Sequence, residues 1–465
     1  MMICLFLALG LIGLSPADDD APPAERTRLM VLTDISSLTA GVAEPDDGQS
    51  LIRLMLYANE FDIEGLVATS NLGHGHKTRP DLIHQVVDNY EKVQPNLLSH
   101  DPRYAPAAAL RKVIKAGWKT AGPKVPVESS IGEDKDTEAS AWIARCVDRP
   151  DSRPLWVVIW GGSADLAQAL WKARRDRTPE ELDRFVAKLR VHAIGDQDST
   201  GPWIREHFPN LFVITQQRAY RGMYRGGDPS LVSSEWVETN IHGHGPLGDL
   251  YPNYRGGDIW SGKLGPVRGI KEGDTPSFLA LVPNGLFDPD HPELGSWGGR
   301  FTGEGRHLTD IPDQDIDTSA DPDPRMSSVY RWRPTFQNDF VSRLDWCVKP
   351  PKETNHPPVA RVAGPTARRT DPGATINLDA SESTDPDGDA LHLQWSIYPL
   401  DPENASLATL HGGDTPKPRI EFAEQAAGKT IPILLSVTDN GTPPLTRYQR
   451  VIITVGERAQ PSPRE

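Results

Sequence analysis

The pattern of apolar and polar positions divides the chain into two stretches of different character. Residues 28–34, RLMVLTD, form an apolar, β-favouring run that stops at a carboxylate, Asp34. An eleven-residue loop rich in Ser, Thr, Gly and Pro follows. Then comes EPDDGQSLIRLMLYANEF, in which Leu51, Leu54, Met55 and Ala58 recur at helical spacing. DIEGLVATSN predicts a second strand ending at Asn71. Together they predict a βαβ unit with parallel strands and a right-handed crossover. Ligands of such sheets bind beyond the carboxyl ends of the strands. Asp34 and Asn71 fall at those ends, and Asp46 and Asp47 open the intervening helix, so four oxygen-bearing side chains converge on one rim.

The alternation continues downstream. DLIHQVVDNYEKV, AAALRKVIKAGWK (107–119) and TEASAWIARCVD (137–148) have the spacing of helices with one buried face. PLWVVIW (154–160) is apolar throughout, as a strand buried on both faces should be, and GGSADLAQALWKARR returns as a helix. ELDRFVAKL and GPWIREHF predict helices, LRVHAIGD and LFVITQ strands. Alternation to about residue 216 implies an α/β fold with a largely parallel sheet. From 217 to 345 periodicity is poor and Gly, Pro, Trp, His and Asp are frequent, the mark of a binding surface. FQNDFVSRLDWCV predicts a helix that closes a domain of residues 26–348. KPPKETNHPP (349–358) reads as a linker. Short β-runs then extend to residue 457: VARVA, TINLDAS, LHLQWSIYP, RIEFAE, TIPILLSVTDN and YQRVIITV. They predict an all-β, immunoglobulin-like sandwich of residues 356–457 with Trp395 in its core.

Composition narrows the function classes. Residues 1–18 hold an apolar run followed by small residues and read as a signal peptide, too short to remain as a membrane span. A secreted or periplasmic chain is therefore expected, with no membrane segment once the signal is removed. The net charge of −15 argues against nucleic acid as a partner. Cys4 leaves with the signal, and Cys146 and Cys347 could form one disulfide or remain two buried thiols. Neither belongs to a CxxC pair, which disfavours zinc.

An Asp at a strand end with an Asp pair at a helix start can ligate a hard cation such as Ca²⁺; the alternative is that Asp46 or Asp47 merely caps the helix. His242 and His244 are flanked by glycines that indicate a turn, and His244 is a candidate proton donor. Of the many tryptophans most are expected to pack, and Trp297 in GSWGGR is the candidate to stack on a sugar face. DQDIDTSADPDP (313–324) reads as a solvated acidic loop, and DPDGD (385–389) as a turn with weak Ca²⁺ binding as its alternative.

The order strand–Asp–loop–Asp-Asp–helix–strand–Asn resembles the N-terminus of nucleoside hydrolases, whose D-x-D-x-x-x-D-D signature holds a catalytic Ca²⁺. EPDDGQSLIRLMLYANEFDIEGLVATS, WVVIWGGSADLAQALW, GDQDSTGPWIREHFP, GDTPSFLALVPNGL and GSWGGR more closely resemble secreted cellulose-binding proteins with a nucleoside-hydrolase-like domain. That resemblance implies Ca²⁺ held by Asp34, Asp47, Asp274 and the Trp160 carbonyl, with Asp34 also taking a proton from water. It implies sugar contacts from Asp46, Asn71, Asp196 and Asp198, and a carbohydrate or polysaccharide partner. The implied activity is Ca²⁺-dependent hydrolysis of a glycosidic bond; the alternative is a carbohydrate-binding protein that kept the fold without catalysis. The chain departs from the signature at Leu32, at Gly273 where a histidine precedes the last aspartate, and in its eleven-residue loop where the signature has three residues.

Overall fold

The computed structural model describes residues 25–39, 45–70, 77–120, 122–256, 267–402 and 405–457. Residues 1–18, expected to be a signal peptide, and Asn71 lie outside the described residues. Strand β1 (Thr27–Thr33) is buried along almost its whole length because it lies inside an eight-stranded sheet. Helix α1 (Asp46–Leu56) crosses to β2 (Phe61–Ala68), which pairs parallel with β1. Helix α2 (Pro80–His100) buries Leu82, Ile83, Val86, Val87 and Tyr90, the face its spacing predicts.

The run expected to be one helix over 107–119 divides. Helix α3 (Ala107–Lys112) ends, and Ile114–Ala116 becomes β3, an edge strand paired with β2. The β-branched Val113 and Ile114 favour that conversion once an open sheet edge is available.

Helix α4 (Glu138–Asp148) starts at a capping box on Thr137 and leads to β4 (Leu155–Ile159), then α5 (Ala164–Asp176) and α6 (Pro179–Ala187). Next come β5 (Leu189–Ile194), α7 (Thr200–His207) and β6 (Phe212–Gln216). The irregular stretch contains short helices α8 (Ser234–Asn240), α9 (Gly245–Asp249) and α10 (Pro276–Leu279). It also contains a hairpin, β7 (Arg300–Glu304) and β8 (His307–Ile311), that completes the sheet and that periodicity did not reveal. Helices α11 (Ser327–Tyr330) and α12 (Arg333–Asp345) close the unit. The sheet order is β3-β2-β1-β4-β5-β6-β8-β7, parallel except for the hairpin. Strand order therefore reverses beside β1 and β4, which makes their carboxyl ends the crevice of the sheet.

The C-terminal stretch forms two sheets. One holds β10 (Thr375–Asn377), β12 (Ala408–His411) and β13 (Arg419–Phe422). The other holds β9 (Ala367–Thr370), β11 (Leu391–Ile397), β14 (Thr430–Asp439) and β15 (Thr446–Val455). VARVA contributes only an isolated bridge, Val359 to Thr384. Trp395 is 1% exposed in the core between the sheets. Tyr398, Leu434 and Tyr448 instead join the core of the α/β unit, so the two units share one hydrophobic interface. At Gly285 a Cβ would fall 1.8 Å from the Tyr448 carbonyl, so only glycine permits that approach.

Cys146 and Cys347 are buried free thiols in separate clusters, which resolves the two alternatives against a disulfide. Among the described residues no helix is long and apolar enough to cross a membrane. The acidic loop 313–324 is not solvated at its start: Asp313 is buried and ion-pairs with Arg300 and Arg331.

His192, buried on β5 beside Phe301 and bonded to Gln216, is held neutral, its pKa lowered by burial from 6.5 to about 4. Between those values the unfolded chain takes up a proton that the folded chain refuses, so stability falls as pH drops through this window. Wild type should lose about 2 kcal/mol more than His192→Asn between pH 7 and pH 5. Urea unfolding at the two pH values measures this, and equal losses would exclude the assignment.

Candidate functional site

The site grows from three chain segments that the fold brings to the crevice. Thr33 ends β1, and Asp34 follows it. Asp46 and Asp47 form the first turn of α1, where the positive helix end favours carboxylates. Asp274 precedes α10, in the irregular stretch. The carboxylates of Asp46, Asp47 and Asp274 offer ligand atoms that all lie within 4.8 Å of one another. Asp47 is 5% and Asp274 3% exposed.

Crowding shapes the electrostatics. Burial, and then the charge of Asp46, raise the Asp47 pKa to about 7, against hydrogen bonds from Thr33 and Asp34 that pull it down. Asp46 Oδ1 is buried with no hydrogen-bond partner among the described residues. Such an oxygen is expensive to bury unless something positive or protic meets it. Lys271, 4% exposed along its side chain, brings Nζ to 3.7 Å from Asp46 Oδ2. Gly161 follows β4, and a Cβ there would lie 2.5 Å from Cβ of Asp34, so glycine at this position is what lets Asp34 occupy the crevice. Where a side chain at Gly273 would begin, Asp46 Oδ2 and the ring of Tyr220 each lie 3.5 Å away. Burial raises the Tyr220 pKa and keeps its hydroxyl protonated.

The other sequence-predicted residues fall into two groups. Trp160 is buried, its indole donates to Ser277 Oγ at 2.8 Å, and its carbonyl accepts from the Gln197 amide. Asp198 is buried at the start of α7 and accepts from Ser163 and Thr200, leaving Oδ2 without a partner among the described residues. Burial raises its pKa. Asp196 is taken up by a two-bond ion pair with Arg205 at 2.7 and 2.8 Å, which offsets the negative charge it brings to the rim.

Two expectations are corrected. Trp297 is 0% exposed, packed edge-on to Phe336 with Arg447 over its ring, and has no face to offer a sugar. Its glycine neighbours serve close packing: a Cβ at Gly298 would strike Pro276 O. His244 is bonded to Asp345 at 3.2 Å, which raises its pKa. Arg343, near that aspartate, bonds the carbonyl of Leu56 at the far end of α1 from Asp46. An eleven-residue helix is about 16 Å long, so His244 belongs to the opposite end of α1 and not to the carboxylate cluster.

Sequence reasoning missed Thr33, Gly161, Gln197, Tyr220 and Lys271. Thr33 and Gly161 border predicted strand ends and were findable from position alone. Lys271 and Tyr220 lie in the aperiodic stretch, where no local signal marks them.

With this geometry in hand, relatives can be placed. Residues 28–301 match the family model for the nucleoside hydrolase-like domain of cellulose-binding Sde182. The chain belongs to the Sde182 family. Residues 375–455 match the C-terminal domain of cellulose-binding protein Sde0182, so the family likeness extends into the sandwich. A solved structure from Saccharophagus degradans, a nucleoside hydrolase-related hypothetical protein associated with carbohydrate metabolism, is 31% identical. The match covers 93% of this Sde182-family chain and 100% of that one, with a TM-score of 0.76. The PKD domain of the KIAA 1837 protein is 23% identical over 22% of this chain and 88% of its own, with a TM-score of 0.17. No curated protein matches.

Asp47→Asn should stabilise the ion-free protein at pH 8. A carboxyl whose folded pKa is raised to about 7 loses stability as pH rises from its usual range through that value. The amide keeps an acceptor oxygen for Thr33 and removes the buried charge. Urea unfolding in chelator should show a gain of about 2 kcal/mol; a loss would contradict the crowding described here.

Proposed function

We propose that this protein is an exported, Ca²⁺-dependent hydrolase of a glycosidic bond in a carbohydrate-like substrate, acting in association with cellulose or a related polysaccharide. The observation that carries this reading is the convergence of Asp46 with the buried Asp47 and Asp274 beside Asp34, at the point where strand order reverses. Membership of a cellulose-binding family supports the polysaccharide partner. The apolar N-terminal run supports export.

The donor set suits a hard cation, because it is all oxygen, mostly carboxylate, and includes a buried oxygen with no partner among the described residues. Asp46, Asp47 and Asp274 would hold it, with Asp34 and the Trp160 carbonyl as neighbouring donors. Ca²⁺, when bound, supplies positive charge that acidifies and orients a water. Asp34, which reaches the crevice over Gly161, takes the proton as general base when its carboxyl is ionised. Tyr220, kept protonated beside the gap at Gly273, donates to the leaving group in place of the missing histidine. The carboxylates around the cleft oppose the positive charge that develops on a sugar ring as its glycosidic bond breaks.

Lys271 favours a second reading. A buried ammonium 3.7 Å from Asp46 already neutralises part of the cluster, as a binding protein without a catalytic cation would need. The two readings separate on the full chain. Nucleosides, aryl glycosides and cello-oligosaccharides should include one substrate cleaved in Ca²⁺ and spared in chelator. Asp47→Ala should lower kcat/KM about 100-fold or more. Unchanged Ca²⁺ affinity and rate in that variant would sink the hydrolase assignment. Retention on insoluble cellulose with no sugar or base released from any substrate would establish the binding reading.

A further inference from the structure

A second group of carboxylates lies far along the chain from the crevice, where the linker enters the sandwich. Asp385, Asp387 and Asp389 offer ligand atoms that all lie within 4.8 Å of one another. Acidic turns of this kind are common, and the Asp385 Oδ1 bonds to the Asp387 and Asp389 amides are ordinary turn geometry. What separates this turn from others is what surrounds it.

Asp439, at the end of β14, is 3% exposed. Its Oδ1 is saturated, accepting from Asn355 Nδ2 at 2.8 Å and from the amides of Gly441 and Leu445 at 3.0 Å each. Its Oδ2 is buried and has no hydrogen-bond partner among the described residues. Asn355 is 5% exposed and shows the same division. Its Nδ2 is fixed by Asp439 and by the Pro443 carbonyl, which leaves Oδ1 buried and without a partner among the described residues. Asp385 Oδ2 is the third buried oxygen in this state.

These oxygens share one junction. Asp439 pairs in register with Leu391, two residues past Asp389, and Asn440 Oδ1 accepts from the Ala390 amide. The charge of Asp385 acts on Asp439. His356, next to Asn355, donates its amide to Asp387 at 2.7 Å. Three buried acceptors without donors among the described residues, two of them carboxylate oxygens, are costly to desolvate unless a cation meets them.

We propose that Asp385, Asp389, Asp439 and Asn355, with Asp387 at the edge, form a binding site for a hard divalent cation of the Ca²⁺ class at the junction of linker and sandwich. Four carboxylates and an amide oxygen are the donor chemistry that Ca²⁺ prefers. The site is independent of the crevice cluster and of any catalytic role for it. Its consequence is mechanical. The Asn355 carbonyl accepts from Ser342 Oγ at 2.6 Å and from Trp346 Nε1 at 3.0 Å, so the ligand residue is also anchored to the α/β unit. His356 stacks on Trp346 and lies 3.0 Å from His100 Nδ1. A cation here ties the turn, the end of β14 and the linker into one body and fixes the sandwich against α12 and α2.

Hydrogen exchange on the full-length chain, with Ca²⁺ or with chelator, resolves this site from the crevice. Ca²⁺ should slow exchange across residues 353–358, 384–391 and 438–445. Asp389→Asn should raise the half-saturating Ca²⁺ concentration for those segments about tenfold or more, while the Asp47→Asn chain keeps the wild-type response there. Wild-type segments indifferent to Ca²⁺ would overturn the proposal without any variant being needed. An unchanged half-saturation in Asp389→Asn, or loss of the response in a folded Asp47→Asn chain, would overturn it too.

Discussion

The crevice depends on the polar side chains that α1 buries. An ordinary helix on a sheet hides an apolar stripe and shows water the rest. Helix α1 is buried nearly all round, including Asp47, Gln49, Ser50 and Arg53. Those residues grip the aperiodic stretch. Gln49 donates to the carbonyls of Pro252 and Gly269 and accepts from the Lys271 amide. Arg53 ion-pairs with Glu272 at 2.6 Å, both side chains fully buried, and lies 3.7 Å from the centre of the Phe340 ring. Ser50 reaches Thr275, which also bonds Glu272. Residues 270–275 belong to no helix or strand and yet have a fixed path, and Lys271 and Asp274 arrive over Asp46 and Asp47 because that path is fixed. Breaking a buried pair such as Arg53–Glu272 leaves an uncompensated charge, so the clamp is far stronger against removal of one partner than its net contribution would indicate.

The same logic joins the sandwich to the α/β unit. Trp332 meets Tyr398 and Tyr448 edge to face. Around that aromatic contact run polar ties: Arg447 to Asp339 at 2.9 Å, the Tyr448 amide to the Asn284 carbonyl, and Arg450 to the carbonyls of Gly295 and Leu286. Asp339 in turn holds Arg343, whose guanidinium reaches Leu56 and Glu60 behind α1. A continuous set of buried charges therefore links the sandwich to the base of the helix that carries the carboxylates. The two units therefore share a packed interface with polar ties, not a flexible tether.

Much of this was legible in the sequence, for definite reasons. The β1–α1–β2 unit declares itself because each element is long enough to show its period, and strand ends in a parallel sheet are where ligands sit. Asp34, Asp46 and Asp47 follow from that alone, and Asp274 from family likeness. What stayed hidden depends on contacts between distant segments. Lys271 has no periodic context and gains meaning only when Gln49 holds its backbone. His244 is a candidate proton donor only if its turn lines the pocket, but its partner Asp345 is 101 residues away and behind the helix. Trp297 looked exposed in a glycine-rich segment, whereas those glycines let backbone pack closely around a buried indole. The β7–β8 hairpin escaped because its strands are short and its outer residues exposed. Glycine-rich text marks close approach as readily as it marks a loop, and only the packing tells which.

The crevice also carries its own electrostatic cost. Carboxylates gathered out of water repel one another, and the protein relieves this in several ways at once. Thr33 donates to Asp47, Asp47 holds its proton up to near-neutral pH, Arg205 neutralises Asp196, and Lys271 approaches Asp46. Each device reduces the demand for a cation without removing it, since Asp46 Oδ1 still lacks a partner among the described residues. A fold under selection for stability alone would replace such a group with apolar side chains, which fill the same volume without a desolvation penalty. The proposed cation would relieve that penalty at Asp46, beside the glycine that lets Asp34 approach. What differs between a hydrolase and a binding protein is then whether the lysine ammonium shares the cluster with a divalent cation or stands in for one.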